Sequence, residues 1–226
     1  MPISRKMRRL IKRTRDGSPT IFIPELNEHY HSVYGAIAES EHVFIENGLK
    51  RIAKRNLSVF EIGFGTGLNA WLTCIAAEKD KKKVLYHTIE ISPLNKEEWQ
   101  EYEKYLAGSA GNPLFRHVNG CPWGKEVIIS SWFRIKKIKD DIARHNIKGT
   151  YDVIYFDAFG PDIQPEIWTK EIFSKISAVM NAGAVLTTYS AKGEVRRNLQ
   201  AAGLKVERIP GPPGKRQMLL AFKPFQ

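Results

Sequence analysis

From residue 58 onward, the chain alternates short apolar runs with longer amphipathic stretches. This alternation is typical of a parallel sheet covered by helices, because the strands are apolar throughout and each helix is apolar on one side. The pattern predicts an α/β fold whose seven strands lie at residues 58–64, 84–91, 126–132, 151–156, 184–189, 205–209 and 217–222.

Apolar residues spaced three or four apart predict helices between most of these strands. One helix follows Pro165, a residue that suits the first helical position because it has no N–H to satisfy. Its inner face is predicted to consist of Trp168, Ile172, Ile176 and Met180.

Two more helices are indicated by similar signals. Ser92-Pro93 has the character of a cap and first turn. The stripe of Ile135, Ile138 and Ile142 predicts a helix after the third strand.

The two ends of the chain depart from the alternating pattern. Residues 210–214, between the last two predicted strands, are too few for a crossover helix, so the last strand is predicted to run antiparallel in a hairpin. Near the start, Asp16-Gly17-Ser18 indicates a small hairpin, and residues 33–48 indicate one or two helices. We therefore predict an N-terminal extension over residues 1–57 and one main domain over residues 58–226.

Composition limits the classes of protein that are compatible with this pattern. In a chain of 226 residues that is 42% hydrophobic, no stretch reaches the roughly 18 apolar residues that cross a bilayer. Cys74 and Cys121 are too few for a disulfide framework or a four-thiolate zinc site, and the six histidines show no metal-ligand spacing. We expect a cytoplasmic protein without a metal centre.

The net charge points to an anionic partner. Thirty-five Lys and Arg residues against 24 Asp and Glu residues leave a formal charge of +11. Such a surplus is typical of proteins that bind nucleic acid or a membrane surface, and the charge alone does not choose between them.

The most informative stretch is a buried strand that runs into three alternate glycines and then a helix. Glycines at this spacing bring backbone N–H groups close to a ligand, although a plain strand–helix turn is the alternative. An acid ends the second strand where carboxylates accept hydrogen bonds from ribose, with a solvated strand end as the alternative. The candidate cofactor-binding residues are Glu61, Gly63, Phe64, Gly65, Gly67, Asn69 and Glu90.

The charges around this loop narrow the choice of cofactor. Leu68 stands where a dinucleotide fingerprint has its third, later glycine, which counts against NAD and FAD. Glu61 and Glu90 flank the loop, and two acids suit a cofactor with ribose, adenine and a positive sulfonium better than they suit a pyrophosphate. We therefore expect S-adenosylmethionine to be the cofactor.

The fourth strand ends in Asp157-Ala158-Phe159-Gly160-Pro161. Carboxyl ends of strands face the ligand crevice of an open α/β sheet, so Asp157 is placed to meet a substrate. A carboxylate there could orient an alkylammonium and take up its proton, and Phe159 could stack on a base. A turn cap for Asp157 and a core position for Phe159 are the alternatives.

Several stretches together resemble the MnmD-type tRNA methyltransferases, also found as the N-terminal half of the bifunctional enzyme MnmC. The match runs in order through most of the chain, at residues 29–44, 61–69, 156–168, 195–203 and 214–219. The combination of Asp-x-Phe-x-Pro with Lys-Arg-x-Met-Leu is the most specific part of the resemblance.

This resemblance implies a class I methyltransferase fold that uses S-adenosylmethionine. The implied reaction methylates the primary amine of 5-aminomethyl-(2-thio)uridine at the tRNA wobble position. Asp157 and Phe159 would contact the acceptor, and Tyr30, His31 and Ser32 would help to close the pocket. Because the chain ends at Gln226, the flavin oxidase activity of MnmC is expected to be absent.

One departure from the family concerns the third strand, which often ends in a Gly-Asp pair in these enzymes. The predicted strand at residues 126–132 has no such pair after it, and Asp140 and Asp141 lie further on. The residues that contact adenine therefore stay open.

We expect the surplus of positive charge on the protein to bind the anticodon stem-loop of a tRNA partner. Phosphate contacts give affinity without sequence information, so exposed cations near the pocket are the candidates. They are Lys215, Arg216, Arg196 and Arg197, and a basic run of Arg5, Lys6, Arg8, Arg9, Lys12, Arg13 and Arg15 adds to them. A charged edge strand that discourages aggregation is the alternative for this run.

Two other classes of function compete with the tRNA methyltransferase hypothesis. A small-molecule amine methyltransferase or aminopropyltransferase would also place an acid after the fourth strand. A non-catalytic RNA-binding protein could keep the same fold and the same surface charge.

Overall fold

The computed structural model describes residues 7–107 and 111–225. A small antiparallel sheet opens the chain and consists of β1 (Leu10–Arg13), β2 (Pro19–Ile23) and β3 (Glu28–His29). The main sheet follows. Its strands are β4 (Asn56–Ile62), β5 (Lys83–Glu90), β6 (Glu126–Ser130), β7 (Phe133–Lys139), β8 (Tyr151–Phe156), β9 (Met180–Thr188), β10 (Lys205–Pro210) and β11 (Gln217–Phe222).

Helices connect most of these strands. They are α1 (Ala36–Ser40), α2 (Leu68–Asp80), α3 (Lys96–Ala107), α4 (Pro113–Gly120), α5 (Lys170–Ala178) and α6 (Gly193–Ala201). A π-helical turn at Glu41–Glu46 continues α1, and single 3-10 turns lie at Leu49–Arg51 and Pro165–Ile167. None of the helices within the described ranges has the length and apolar character to span a bilayer.

The main sheet has the order β10-β11-β9-β8-β4-β5-β7-β6. Strands β4, β5, β7, β8 and β9 are parallel to their neighbours in this set, whereas β11 is antiparallel to both β9 and β10. The predicted α/β fold class, with its mostly parallel sheet and antiparallel last strand, is thereby confirmed. Among the described residues, the main sheet has one strand more than predicted, because β7 was not predicted as a strand; β6, which was predicted, is an antiparallel edge strand.

Two apolar clusters cover the two faces of the sheet. All six residues of β8 are buried, with Val153 and Tyr155 in one cluster and Ile154 and Phe156 in the other. A strand that is buried on both faces needs this continuous apolar run, which explains why β8 could be recognised from its sequence.

The segment Phe133–Lys139 was predicted as a helix and is strand β7, parallel to β5. Its side chains alternate between the two faces, with Phe133, Ile135 and Lys137 buried and Arg134 exposed. The prediction was wrong because Ile135 and Ile138 lie three residues apart, a spacing that matched a helix while the strand's period of two went unrecognised.

Two other boundaries also differ from the predictions. Helix α3 begins at Lys96, because Asn95 and Glu98 form a reciprocal capping box: the Asn95 Oδ1 accepts from the Glu98 N–H at 2.8 Å, and the Glu98 Oε2 accepts from the Asn95 N–H at 2.7 Å. Met180, predicted on the inner face of a helix, begins strand β9 instead.

The N-terminal residues share the core of the sheet. Phe44 lies against Tyr155 with ring centroids 5.0 Å apart, and the Val43 carbonyl accepts a hydrogen bond from the Thr187 hydroxyl at 2.7 Å. The small sheet is held against α3 by the Tyr102 hydroxyl, which donates to the Pro19 carbonyl at 2.8 Å. The division at residue 57 stays a prediction.

Replacing Tyr102 by Phe tests this attachment. The Tyr102 side chain is fully buried, and removal of its hydroxyl leaves the Pro19 carbonyl without a donor. The free energy of unfolding, measured by urea denaturation, should therefore fall by about 1–2 kcal/mol. The control is Tyr105→Phe on the same helix, where the tyrosine is 38% exposed and the change should stay below about 0.5 kcal/mol. Equal losses in the two variants would contradict the role given to Tyr102.

Candidate active site

A cavity of about 840 Å³ lies at the carboxyl ends of the central strands. In the sheet, β4 lies between β5 on one side and β8 on the other, so the strand order reverses at β4. Open α/β sheets bind their ligands at such a reversal. Its lining includes the glycine loop after β4, the acid that ends β5 and the residues that follow β8.

Gly63 allows the loop after β4 to lie directly against the loop after β8. It has a φ of +93°, and a Cβ added there would lie 2.4 Å from the Asp157 carbonyl oxygen. The Asp157 N–H donates to the Ile62 carbonyl at 2.9 Å, and the Gly63 N–H donates to the Ile89 carbonyl at 2.9 Å. These backbone contacts set the spacing between the glycine loop and Asp157.

The predicted cofactor residues around this loop mostly line the cavity. Gly63, Phe64, Gly65 and Glu90 are in its wall, and Gly67 caps α2 just behind them. The Glu90 carboxylate accepts from the Gly65 N–H at 3.0 Å and from the Ser92 N–H at 2.8 Å. Glu90 thus joins the glycine loop to the segment after β5, at the edge of the cavity.

Glu61 lies behind the glycine loop and is fully buried. Its carboxylate accepts hydrogen bonds from the Thr88 hydroxyl at 2.7 Å and from the Asn69 side-chain amide at 3.0 Å. Burial raises the pKa of Glu61 to about 7. The structure therefore places Glu61 under the loop and not in the cavity wall, and its contact to a cofactor stays a prediction.

Asn69 connects Glu61 to Asp157. Its Nδ2 also donates to the Asp157 Oδ2 at 2.8 Å. Burial, together with the negative charges of Glu39 and Glu61, raises the pKa of Asp157 well above its usual value, while Asn69 and Lys215 act in the opposite direction. Within the described residues, the Asp157 carboxylate accepts no backbone N–H, so it does not serve as a turn cap.

Phe159 and Tyr30 meet over the cavity. Their ring centroids are 5.3 Å apart and their planes are nearly perpendicular. The segment that carries Phe159 is held by the Trp168 indole, which donates to the Phe159 carbonyl at 2.8 Å, and by the Tyr189 hydroxyl, which donates to the Ala158 carbonyl at 2.8 Å. Phe159 is thus a pocket aromatic and not a core residue.

His31 and Ser32, predicted with Tyr30 as the lid, also line the cavity. Burial lowers the pKa of His31 to about 4, so the imidazole is neutral at physiological pH. The Ser32 N–H donates to the Glu39 Oε2 at 2.7 Å. This bond anchors the lid segment to α1.

Sequence reasoning did not assign a role to Glu39. Its Oε1 accepts from the Lys215 Nζ at 2.7 Å, and the same ammonium lies 4.0 Å from the centre of the Tyr189 ring. Glu39 belongs to a stretch used for the family resemblance, but its partner is distant in the sequence, so no local signal indicated the pair. Lys215, a candidate RNA contact, therefore lines the cavity as half of an ion pair.

Of the other candidate RNA contacts, Arg9 lines the cavity, whereas Arg196, Arg197 and Arg216 are not among its lining residues. Arg216 and Arg197 are exposed, and Arg196 is partly buried. In the basic run, Arg9 is paired with Glu98 at 2.9 Å, so it holds β1 against α3. Arg5 and Lys6 lie outside the described residues.

The observed strand β7 bears on the Gly-Asp pair that is missing after the predicted third strand. The strand next to β5 is β7, which ends at Lys139 and is followed directly by Asp140 and Asp141. Both acids line the cavity, and the Asp140 Oδ2 is 2.8 Å from the His145 Nδ1. An acid thus follows this strand directly, but the residue before it is Lys139 and not the glycine of the family's pair, and the adenine contact stays open.

The cavity is rich in carboxylates. Among the residues that the structure describes, seven acidic side chains and three Lys or Arg side chains line it: Glu28, Glu39, Glu90, Glu98, Asp140, Asp141 and Asp157 against Arg9, Lys139 and Lys215. Such a wall favours a cationic ligand and disfavours a pyrophosphate. A glycine cradle with a strand-end carboxylate beside it fits the sulfonium, ribose and adenine of S-adenosylmethionine. Among the described residues, no cluster of His, Cys, Asp and Glu could hold a metal ion.

Comparisons with known proteins agree with this geometry. Residues 130–224 match the family described as S-adenosyl-L-methionine-dependent methyltransferase. The chain is 30% identical over 224 residues to the "tRNA 5-methylaminomethyl-2-thiouridine biosynthesis bifunctional protein MnmC" of Azoarcus sp., covering 90% of this chain and 34% of that protein. A protein of the same name from Cupriavidus necator is 30% identical over 221 residues, covering 90% and 33%. The chain thus spans about a third of the length of these curated relatives.

Solved structures show the same fold. The crystal structure of MNMC2 from Aquifex aeolicus has a TM-score of 0.76 and 24% identity, covering 96% of this chain and 71% of that one. A spermidine synthase from Thermotoga maritima has a TM-score of 0.56 and 14% identity, covering 96% and 69%. Family model, relatives and fold together confirm the resemblance found in the sequence: this chain is a methyltransferase that depends on S-adenosylmethionine, and it is similar to the MnmD-like enzymes.

Proposed function

We propose that the protein methylates the aminomethyl group of 5-aminomethyl-(2-thio)uridine at the wobble position of tRNA. The observation that carries this proposal is the position of Asp157, which lies in an acid-rich cavity between the glycine loop and the aromatic pair Tyr30 and Phe159. The names of the MnmC relatives support the choice of nucleoside. As an enzyme that acts on tRNA, the protein is expected to work in the cytoplasm.

Asp157 has the properties needed to prepare an alkyl amine for methylation. Such an amine has a pKa near that of Lys, about 10.4, so it arrives as an ammonium and must lose a proton before it can attack. The raised pKa of Asp157 makes its carboxylate a stronger base than an ordinary Asp. Asn69, which donates to the Asp157 Oδ2, holds the carboxylate in one orientation.

Bound S-adenosylmethionine supplies an electrophilic methyl group on a positive sulfur. Asp157 would first take up the ammonium proton and pass it to water. The amine lone pair would then be free to form the N–C bond, and the cofactor would leave as a neutral thioether as its S–C bond breaks. The main requirement of methyl transfer is in-line attack at near-contact distance. The close backbone contact between Gly63 and Asp157 fixes the glycine loop relative to the segment that carries Asp157.

The aromatic residues suit a pyrimidine base that bears the amine. Tyr30 and Phe159 meet edge to face in the wall of the cavity, where an unstacked base could pack against either ring. Arg216 and Arg197 are exposed and are available for backbone phosphates. The +11 net charge therefore belongs mainly to surfaces outside the acidic cavity.

The test of the reaction uses labelled S-adenosylmethionine and tRNA from a strain that lacks the methylated wobble nucleoside. We expect label to appear in the wobble uridine after nuclease digestion and chromatography. Label in a polyamine or another small amine, with none in tRNA, would favour the small-molecule rival. Tight tRNA binding without transfer to any acceptor would favour the non-catalytic rival.

Replacing Asp157 by Asn should lower kcat at least about 100-fold, because the amide cannot accept the ammonium proton. The dissociation constant for S-adenosylmethionine, measured by calorimetry, should stay within about twofold because the glycine loop is retained. The control is Asp162→Asn, which changes an acid of the same loop that is 76% exposed and contacts Lys192. Unchanged turnover in Asp157→Asn would remove Asp157 from the mechanism.

The pH dependence of kcat/KM should report the charges around Asp157. The carboxylate is the active form, so activity is lost as the pH falls through its raised pKa. Lys215 lowers this pKa and Glu39 raises it. The acidic limb should therefore move to higher pH in Lys215→Met and to lower pH in Glu39→Gln. Shifts in the same direction, or none, would show that this limb belongs to another group.

A further inference from the structure

A second cavity, of about 480 Å³, lies on the sheet face beside the end of β7. Its floor is a row of three side chains from neighbouring strands. Phe60 on β4 is in register with His87 on β5, and His87 is in register with Lys136 on β7. Its walls are formed by Trp123-Gly124 and by residues 145–148, which precede β8. We call this cavity the basic groove.

The groove has a charge opposite to that of the active site. Three lysines line it, Lys136, Lys139 and Lys148, together with His87 and His145, and no acidic side chain is among its described lining residues. Two carboxylates border it and both are paired. Glu126, which lies opposite Lys136 in the β6–β7 register, is 3.5 Å from an Arg134 nitrogen, and Asp140 contacts His145 at 2.8 Å.

Hydrogen bonds join the floor of the groove to its wall. The Tyr151 hydroxyl donates to the Lys148 carbonyl at 2.8 Å and lies 2.8 Å from the His87 Nδ1. The other ring nitrogen of His87, Nε2, has no hydrogen-bond partner among the described residues. The Lys148 backbone is thus held in place beside the row of floor residues, so the groove keeps its shape without a ligand.

The basic groove adjoins the active-site cavity. Lys139 lines both of them, and the Asp140–His145 pair has one residue in each. A ligand that reaches into the active site and continues along the surface in this direction meets three ammonium groups. This arrangement matches a polyanion with one reactive base and a chain of phosphates beside it.

We propose that the basic groove binds the phosphodiester backbone of the RNA substrate. This inference rests on the proposed function, since it assigns a surface to the tRNA that the active site would modify. The lysines act as point charges that neutralise successive phosphates and release their counterions. Such contacts position the RNA and carry no base specificity.

The test compares two double variants that remove the same charge. Lys136→Gln/Lys148→Gln changes the groove, and neither residue lines the active-site cavity. Lys79→Gln/Lys83→Gln changes two exposed lysines at the end of α2 and the start of β5. A fluorescent anticodon stem-loop RNA is titrated at several KCl concentrations, and the slope of log Kd against log salt is measured.

The groove variant should lose about 0.7–0.9 of the salt slope for each phosphate contact removed, thus up to about 1.8 in total. The affinity of this variant for the RNA at low salt should fall roughly tenfold or more. Its Kd for S-adenosylmethionine should not change. In turnover with tRNA, the KM for tRNA should rise while kcat stays constant. The control variant should keep most of the slope. Lys148→Gln alone changes an exposed position and should show about half of this decrease in slope. This single variant controls for misfolding of the double variant.

Equal slopes in the groove and control variants would overturn the inference. It would also be overturned if inorganic phosphate competed as strongly as the RNA, because the groove would then be a small-anion site. The binding assay needs no turnover, so it separates the two proposals. If labelled methyl never enters tRNA but the slope still depends on Lys136 and Lys148, the proposed function fails and the groove remains an RNA surface.

Discussion

The site depends on one side-chain amide placed between the fully buried carboxylate of Glu61 and the partly buried carboxylate of Asp157. Asn69 donates to Glu61 and to Asp157 from the same nitrogen, at 3.0 and 2.8 Å. Two carboxylates in an apolar interior raise each other's pKa, and without a neutral donor between them their charges would destabilise the fold. With Asn69 in place, Glu61 is a buried support and Asp157 faces the cavity. Asn69 is also in the first turn of α2, so the helix that follows the glycine loop fixes the orientation of Asp157.

Charge is segregated between the inside and the outside of this molecule. Most of the charged side chains described in the wall of the active-site cavity are acidic, while the chain as a whole carries +11. An acidic wall lowers the local concentration of free anions, and a basic exterior attracts a polyanion from a distance. The two surfaces meet at the end of β7, where Lys139 and Asp140 are adjacent. A substrate with a cationic amine on a phosphodiester chain satisfies both surfaces at once, whereas a small amine satisfies only the inner one.

How far the sequence predicts the fold and the site depends on how far apart in the sequence the interacting residues lie. The glycine loop, Glu90 and the acid after β8 could be predicted because each is a local pattern at a strand end, and parallel strands bring their carboxyl ends together. Strand β7 was assigned wrongly because spacings of three and two both fit its few apolar residues. Glu39 could not be assigned a role, because its ion pair with Lys215 joins residues 176 positions apart. Glu61 could be placed near the loop, but its complete burial follows only from packing.

The Glu39–Lys215 pair has a consequence for the order in which the protein becomes functional. One wall of the cavity comes from the helix near the start of the chain, and its partner comes from the turn before the last strand. During synthesis on the ribosome, the glycine loop and Asp157 emerge well before residue 215 does. The nascent chain therefore has the chemical groups before it has this ion pair, and the wall of the cavity is complete only after the final hairpin has folded against the first helix.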